Sequence, residues 1–333
     1  MHPFNRRDFL RSGASVLAGS SLGLPSLAQT SFPAKPIMVK VAFPAGGPSD
    51  ASVRAATVIL QRHLGQPVLA DNMPGAGGSI AALAVSRAPV DGYTLLGTTG
   101  TDLLASPYTV ASAKYSASDF RLLGVTGTSD FMLACNPTLE IKSVDDLIKY
   151  ARTPGNRQLS IAHWGTGSAA HIVGADFQTR TGLKFLEVPY KGVAPSMIDL
   201  AGSQVDLGFM PLGGGPALGM LQSGKMKALG IAGPVRNPAV PNLPTINESQ
   251  SLKNFEHTLW VGVLAPAKTP EAVVERLTVA MNEWVVSPEN KARMAANASG
   301  RLDPMTTLQA AAFLKSESEK FSRIARALKL EPQ

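Results

Sequence analysis

The sequence predicts two α/β lobes built on largely parallel sheets, and three observations carry that prediction. The chain has 333 residues, more than one small core fills and enough for two lobes of ordinary size. Short apolar runs alternate with segments of helical periodicity, the pattern of strands joined by crossover helices. Twice, a strand-like run is followed by a small-residue turn and a helix start, at residues 43–50 and again at 164–171. Apolar residues make up 44% of the chain and charged residues only 17%, which fits a compact protein and argues against disorder.

The elements follow in order. Residues 37–43 read as a strand, and 50–64 as a helix with Val53, Ala56, Leu60 and Leu64 on one face and Gly65 as its stop. A second strand is expected at 67–70, a second helix at 79–88 and a third strand at 93–97. Ser143 with Asp146 resembles a capping box for a helix ending near Arg152. Strands at 159–162, 185–189, 205–209 and 227–232 alternate with helices at 168–181 and about 195–201. In the last third, Thr269-Pro270-Glu271 places a capping hydroxyl, a first-turn proline and an acid in order. Val274, Leu277, Met281 and Trp284 then share a face. A final helix from about 307 to 328 is expected to bury Leu308, Phe313, Phe321, Ile324 and Leu328. Turn residues at Gly127-Thr128-Ser129 and at 233–241 mark the crossings between lobes. Lobe 1 is therefore expected to comprise 32–127 and 240–333, and lobe 2 to comprise 128–239.

The first 28 residues read as an address. Asn5-Arg6-Arg7-Asp8-Phe9-Leu10-Arg11 sets paired arginines before an apolar pair, as twin-arginine signals do. A weakly apolar stretch and Ser26-Leu27-Ala28 follow, with small residues where a signal peptidase reads. The mature chain is thus expected to be periplasmic. The formal charge is +7, yet no Lys/Arg cluster is interleaved with aromatics, so no nucleic-acid partner is expected. The single cysteine, Cys135, excludes an internal disulfide and any CxxC pair. It lies in an apolar run, where a buried inert thiol is expected.

The strongest local feature is Phe43-Pro44-Ala45-Gly46-Gly47-Pro48-Ser49-Asp50. Glycines admit a ligand close to the backbone, and a helix start offers unpaired N–H groups at the positive end of its dipole. That chemistry suits a carboxylate or phosphate, and the absence of GxxxxGK[ST] separates it from a P-loop. Asp50 either caps its own helix or holds water against the ligand. Trp164-Gly165-Thr166-Gly167-Ser168 repeats the logic in the other lobe, so two anion-ready turns could pinch one ligand. Gly165, Gly167 and Ala170 also fit a loose dinucleotide fingerprint, but only Glu187 stands near the place of its partner acid, and no cofactor is expected. Thr99 and Thr101 follow a strand, on the usual ligand side of a parallel sheet. Tyr190 also follows a strand and either contacts ligand or packs. Asp206, an acid in a strand pattern, either meets a ligand ammonium or bonds the backbone. His171 is a structural histidine or a contact. No GxSxG, no HExxH and no His/Asp/Glu set at metal-ligand spacing occurs, so neither catalysis nor a metal is expected.

These pieces, in this order, resemble the solute receptors of tripartite tricarboxylate transporters, the Bug or TctC type, from about Phe32 to the C-terminus. The resemblance rests on Lys35-Pro36-Ile37, Gly46-Gly47-Pro48-Ser49-Asp50, Leu64-Gly65-Gln66-Pro67-Val68 and Pro74-Gly75-Ala76-Gly77-Gly78. It continues in Asp91-Gly92-Tyr93-Thr94-Leu95-Leu96, Val188-Pro189-Tyr190-Lys191-Gly192 and Gly202-Ser203-Gln204-Val205-Asp206. It implies a two-lobed periplasmic-binding-protein fold, type II-like, with a hinge and an interlobe ligand cleft. By that pattern Phe43, Ala45, Gly46, Gly47 and Asp50 grip a carboxylate from one side. Gly165, Thr166, Gly167 and Ser168 face them, with Thr99 and Thr101 nearby and Asp206 as a specificity residue. Ala45 replaces a proline common in the first loop, and His163 with Trp164 stands where a serine is common before the second. The implied role is capture of a small carboxylate for membrane transporter subunits. The alternatives are a receptor that signals to a membrane sensor, and a periplasmic hydrolase or lyase using His163 or His171.

Overall fold

The computed structural model describes residues 32–332 apart from 47, 166, 191, 214, 215 and 301. The expected signal segment, 1–28, lies outside the described residues. Residues 35 onward form one unit built on a sheet of nine strands. Its first half holds β1 (Ile37–Val41), β2 (Val68–Asn72) and β3 (Thr94–Thr99), parallel to one another with β1 in the middle. Its second half holds β5 (Ser160–His163), β6 (Leu186–Pro189) and β7 (Leu207–Pro211), again parallel, with β5 in the middle. Between them lie the long β4 (Phe120–Cys135) and β9 (Thr258–Pro266), and β8 (Lys227–Ile231) pairs with β4.

β4 is the element that joins the halves. Residues 120–130 pair antiparallel with β9, and 131–135 pair antiparallel with β7. Gly127-Thr128-Ser129, expected as an interrupting turn, is instead paired strand, opposite Val261, Trp260 and Leu259. The register shifts between Leu122 and Gly124 and between Val125 and Gly127, the kind of irregularity that bends a strand without ending it. The sheet is therefore mixed rather than largely parallel, because the connecting strands run against both neighbours. Beyond the crossing, β4 is buried on both faces: Phe131, Leu133 and Cys135 enter one core cluster and Met132 and Ala134 another, as a period of two requires.

Helices cover the sheet. α1 (Pro48–Leu64), α2 (Ser79–Ser86) and α3 (Gly100–Thr109) follow the first-half strands. α4 (Val144–Arg152), α5 (Ala169–Thr181), α6 (Val193–Ala201) and the short α7 (Ala217–Gln222) serve the second. The Ser143 hydroxyl caps α4 by accepting from Asp146 N–H at 3.0 Å. The chain then runs through α8 (Glu271–Val286), α9 (Pro288–Ala296) and α10 (Thr307–Ala327). α8 buries Val274, Leu277, Met281 and Trp284 as expected. α10 buries Phe321 and Ile324, but Leu308 is 79% exposed. It stands in the first turn, beside the Thr306–Gln309 capping box rather than over the core. The expected Thr269 cap is also absent: its hydroxyl is buried without a partner, and Glu271 pairs with Arg121 at 2.6 Å. Ile246, Leu252 and Phe255 pack in the core of the second half with Phe131 and Phe209, so the chain returns to the first half at β9. Among the described residues no helix is long and apolar enough to cross a membrane.

Candidate functional site

The first glycine loop leaves β1 and enters α1, and Asp50 holds it. This carboxylate is 2% exposed. It accepts from the Gly46 N–H at 2.9 Å, from Arg54 Nε at 2.9 and 3.0 Å, and from Asn72 Nδ2 at 2.8 Å. Asn72 also donates to the Phe43 carbonyl at 2.8 Å, and Arg54 Nη2 donates to Asn72 Oδ1 at 2.5 Å. Burial alone would raise the Asp50 pKa, but the donors from Gly46, Asn72 and Arg54 together hold it below its ordinary value. Asp50 is thus the clasp of the loop. Phe43 packs on the first-half core, while Ala45 and Gly46 are exposed.

The second loop leaves β5 and enters α5. Ser168 caps the helix, accepting from the His171 N–H at 3.4 Å. The His171 ring turns back, and its Nδ1 accepts from the Gly167 N–H at 3.0 Å. Gly167 has φ 77°, in the left-handed region that favours glycine, and a Cβ there would sit 2.2 Å from Thr109 Cγ2. Thr109 ends α3, so this loop presses directly on the first half. Ile172 of α5 likewise packs in the first-half core with Leu104 and Trp260.

Other expected residues are distributed around these loops. Thr99 ends β3 and Thr101 stands in the first turn of α3, next to the end of β1, where Ala42 N–H donates to the Gly97 carbonyl. Both are buried. The Thr99 hydroxyl caps α3, accepting from Asp102 N–H and donating to the Asp102 carboxylate at 2.6 Å. Burial raises the Asp102 pKa to about 6, against the lowering by Thr99. Tyr190 follows β6 beside β5, its N–H donating to the His163 carbonyl, and its hydroxyl donates to Asp199 at 2.9 Å. Gly47 and Thr166 lie outside the described residues. Asp206 stands apart. It precedes β7 at the end where β5 begins, roughly 10 Å of strand from the glycine loop. Its carboxylate accepts both Arg157 nitrogens at 2.5 and 2.6 Å and the Ser160 N–H at 2.8 Å. Its geometry is that of a strand-start clamp, away from both loops.

Behind the second loop, His163, His171 and Glu187 bring nitrogen and oxygen atoms within 4.8 Å of one another, a grouping that their sequence spacing hides. The two rings lie 4.7 Å apart. Burial first, and then the His163 charge, lower the His171 pKa. The Gly167 N–H aimed at Nδ1 puts the His171 proton on Nε2, facing Glu187 at 3.6 Å. A metal at Nε2 would need that proton and the Gly167 N–H both displaced, so the arrangement suits a neutral structural histidine.

A cavity of about 440 Å³ opens where the halves meet. Gly46, Ser49 and Ser52 reach it from the first half, Ser129 from β4, Gly213 from the chain after β7, and Arg293 from α9. Among the described residues, no acidic one lines it. A larger cavity, about 630 Å³, lies among Asp130, Arg236 and Asn237, but its charged groups are engaged: Arg236 with Glu248 at 2.8 Å and Asp130 with Asn237 at 2.8 Å.

Residues 53–330 match the model of the tripartite tricarboxylate transporter family receptor. The chain belongs to that receptor family. Protein BugT of Bordetella pertussis is 32% identical to it over 317 residues, covering 93% of this chain and 94% of that protein. A protein encoded in the tcbD-tcbE intergenic region of Pseudomonas sp. strain P51 is 32% identical over 297 residues, 87% of each chain. Among solved structures, the periplasmic binding protein BugD is 29% identical with a TM-score of 0.69, covering 91% of the receptor and 100% of BugD. The R. palustris protein Rpa4515, solved with adipate, is 29% identical with a TM-score of 0.74 over 91% and 100% of the two chains. MatC of Rhodopseudomonas palustris, solved with malate, is 27% identical with a TM-score of 0.71 over 88% and 100%. The receptor thus has the two-lobed α/β fold of periplasmic binding proteins. Sequence reasoning missed Asn72, Arg54 and Arg293. Asn72 and Arg54 act through Asp50, and their only sequence signal was the i, i+4 spacing of Asp50 and Arg54. Arg293 carried none.

Proposed function

We propose that the receptor is exported to the periplasm, captures a small carboxylate between its two lobes and hands it to the membrane subunits of a tripartite transporter. The observation that carries this reading is the acid-free cavity between the sheet halves, reached by the first glycine loop and flanked by a guanidinium. The malate and adipate in the related structures support a carboxylate as the ligand class. The N–H groups at the starts of α1 and α5 would hold one carboxylate by charge-assisted hydrogen bonds. β4 crosses between the halves and the chain returns at the start of β9, and bending there would bring the loops together. On this reading the second lobe runs from about Ser129 to His257, since Ile246, Leu252 and Phe255 share its core. The paired arginines near the N-terminus support export by the twin-arginine route.

Calorimetric titration of protein unfolded, stripped of carried-over ligand and refolded tests the capture claim. A panel of mono-, di- and tricarboxylates, amides and aromatic acids should contain at least one carboxylate that binds saturably. Heat from amides alone, or from nothing in the panel, would remove the claim.

A further inference from the structure

Arg293 projects from α9 into the cavity between the halves without an acidic partner among the described residues. One of its nitrogens, Nη2, donates to the Thr126 carbonyl at 2.9 Å and lies 3.4 Å from Asn290 Oδ1. Its Nε is buried with no hydrogen-bond partner, and Nη1 makes no hydrogen bond to the described residues. The guanidinium sits over Trp284, 5.5 Å from the ring centroid. Burial pushes its pKa down, and an arginine remains charged at any physiological pH. A desolvated positive charge with spare donors, in a cavity with no acid in its lining, is an electrostatic deficit that an anion would correct.

The strand beneath is shaped to the guanidinium. Gly127 carries no side chain, and a Cβ there would lie 2.8 Å from Arg293 Nη2 and 2.7 Å from Ser52 Oγ. Ser52 in turn bonds the Thr126 hydroxyl at 2.9 Å, which fixes the start of α1 against β4. Arg293 therefore stands beside the first turns of α1, whose N–H end already favours one negative group. The cavity, at about 440 Å³, has room for a small two-headed anion, since small-molecule pockets begin near about 300 Å³.

We infer that Arg293 binds the second carboxylate of a dicarboxylate ligand whose first carboxylate is held at the first glycine loop, which lines the same cavity. The inference rests on the carboxylate-receptor reading and narrows it to a dianionic class. The fork of a guanidinium matches a carboxylate in two hydrogen bonds. A monocarboxylate of equal length would leave Arg293 as unpaired as it is now.

The test titrates ligand-free, refolded protein with length-matched pairs: butyrate and succinate, pentanoate and glutarate, hexanoate and adipate. The wild-type protein should favour the diacid of at least one pair by tenfold or more. Arg293→Gln should weaken that diacid on the order of tenfold to a hundredfold, the range for a lost charge-assisted hydrogen bond, and its monoacid less than threefold. Arg293→Lys should recover part of the preference. Gly127→Ala, which keeps the charge but displaces the guanidinium, should narrow the preference too. Equal weakening of both acids in Arg293→Gln would mean a structural role, and no weakening would mean no contact; either overturns the inference. A wild-type protein that binds monoacids as tightly as diacids overturns it without any variant. Binding of none of the six would instead count against the carboxylate reading itself.

Discussion

The two glycine loops are built alike and held differently. Each leaves a parallel strand at its carboxyl end and opens a helix, yet the first is clasped by a buried carboxylate with three donors and the second by a neutral imidazole with one. Asp50 gathers Gly46, Arg54 and Asn72 from two elements. Among the described residues of its own loop, the His171 ring takes only the Gly167 N–H. The first loop is thus fixed by charge to its lobe, whereas the second leans across on Thr109 of the other lobe. If the receptor closes on its ligand as proposed, the charged clasp marks the first loop as the jaw that holds its shape and the single contact marks the second as the one that re-seats.

The largest effect should come from breaking the charged clasp. Asp50→Ala leaves the Gly46 N–H and the Asn72 amide without their acceptor and frees Arg54. Urea unfolding should report a loss of about 2–4 kcal/mol, and affinity for the best carboxylate should fall on the order of tenfold. Unchanged affinity at reduced stability would sever this loop from binding. Asp206→Asn is the control at the far end of the second half. It should cost about 2–3 kcal/mol in the same assay while leaving affinity within about twofold, as distant sites usually behave independently.

A smaller effect is expected at the contact between halves. Gly167→Ala adds a methyl against Thr109 and forces an L-residue to positive φ, together about 1–3 kcal/mol. Measured in a Thr109→Gly background, where the clash is gone, the same substitution should cost only the backbone part, about 1 kcal/mol. If Gly167→Ala costs the same in both backgrounds, the second loop and the end of α3 do not meet there.

The smallest effect is a pH difference between the clasps. His171 is held below its ordinary 6.5, chiefly by burial. The unfolded chain therefore binds its proton more readily, and stability is complete above about pH 6.5 and declines below it. Asp50 is held below its ordinary 3.8, so its contribution is present above that pH and is lost only as pH falls through its lower folded value. Between pH 7.5 and 5, wild-type protein should lose up to about 1 kcal/mol that His171→Gln retains. His257, also held low by burial, acts in both proteins, so their difference isolates His171. Parallel curves would show that the imidazole is not the second clasp.

Much of this was legible in the sequence because it is local. Strand-turn-helix order, the Ser143 cap and the buried face of α8 each depend on spacings of a few residues, and both glycine loops were marked by residues that only a tight turn tolerates. What depended on distant partners was not. Gly127-Thr128-Ser129 looks like a turn, yet pairing with β9, at Val261, Trp260 and Leu259 far along the chain, makes it strand. Asp206 was recognisable as an odd acid in a strand, but its Arg157 partner and its place at the far strand end come from the parallel register of β5 and β7. Leu308 followed the apolar pattern and still faces water, because the cap at Thr306 sets where the helix begins. Arg293 had no sequence signal, since an arginine on a polar helix is ordinary until its neighbours are known.

The most direct test is a crystal structure of the receptor with whichever carboxylate of the panel binds most tightly. A ligand held between the first loop at Gly46–Ser49 and the start of α5 at Ser168, with residues of both sheet halves in contact, is the predicted result. A ligand seated wholly within one half, or lodged away from both loops, would contradict the account.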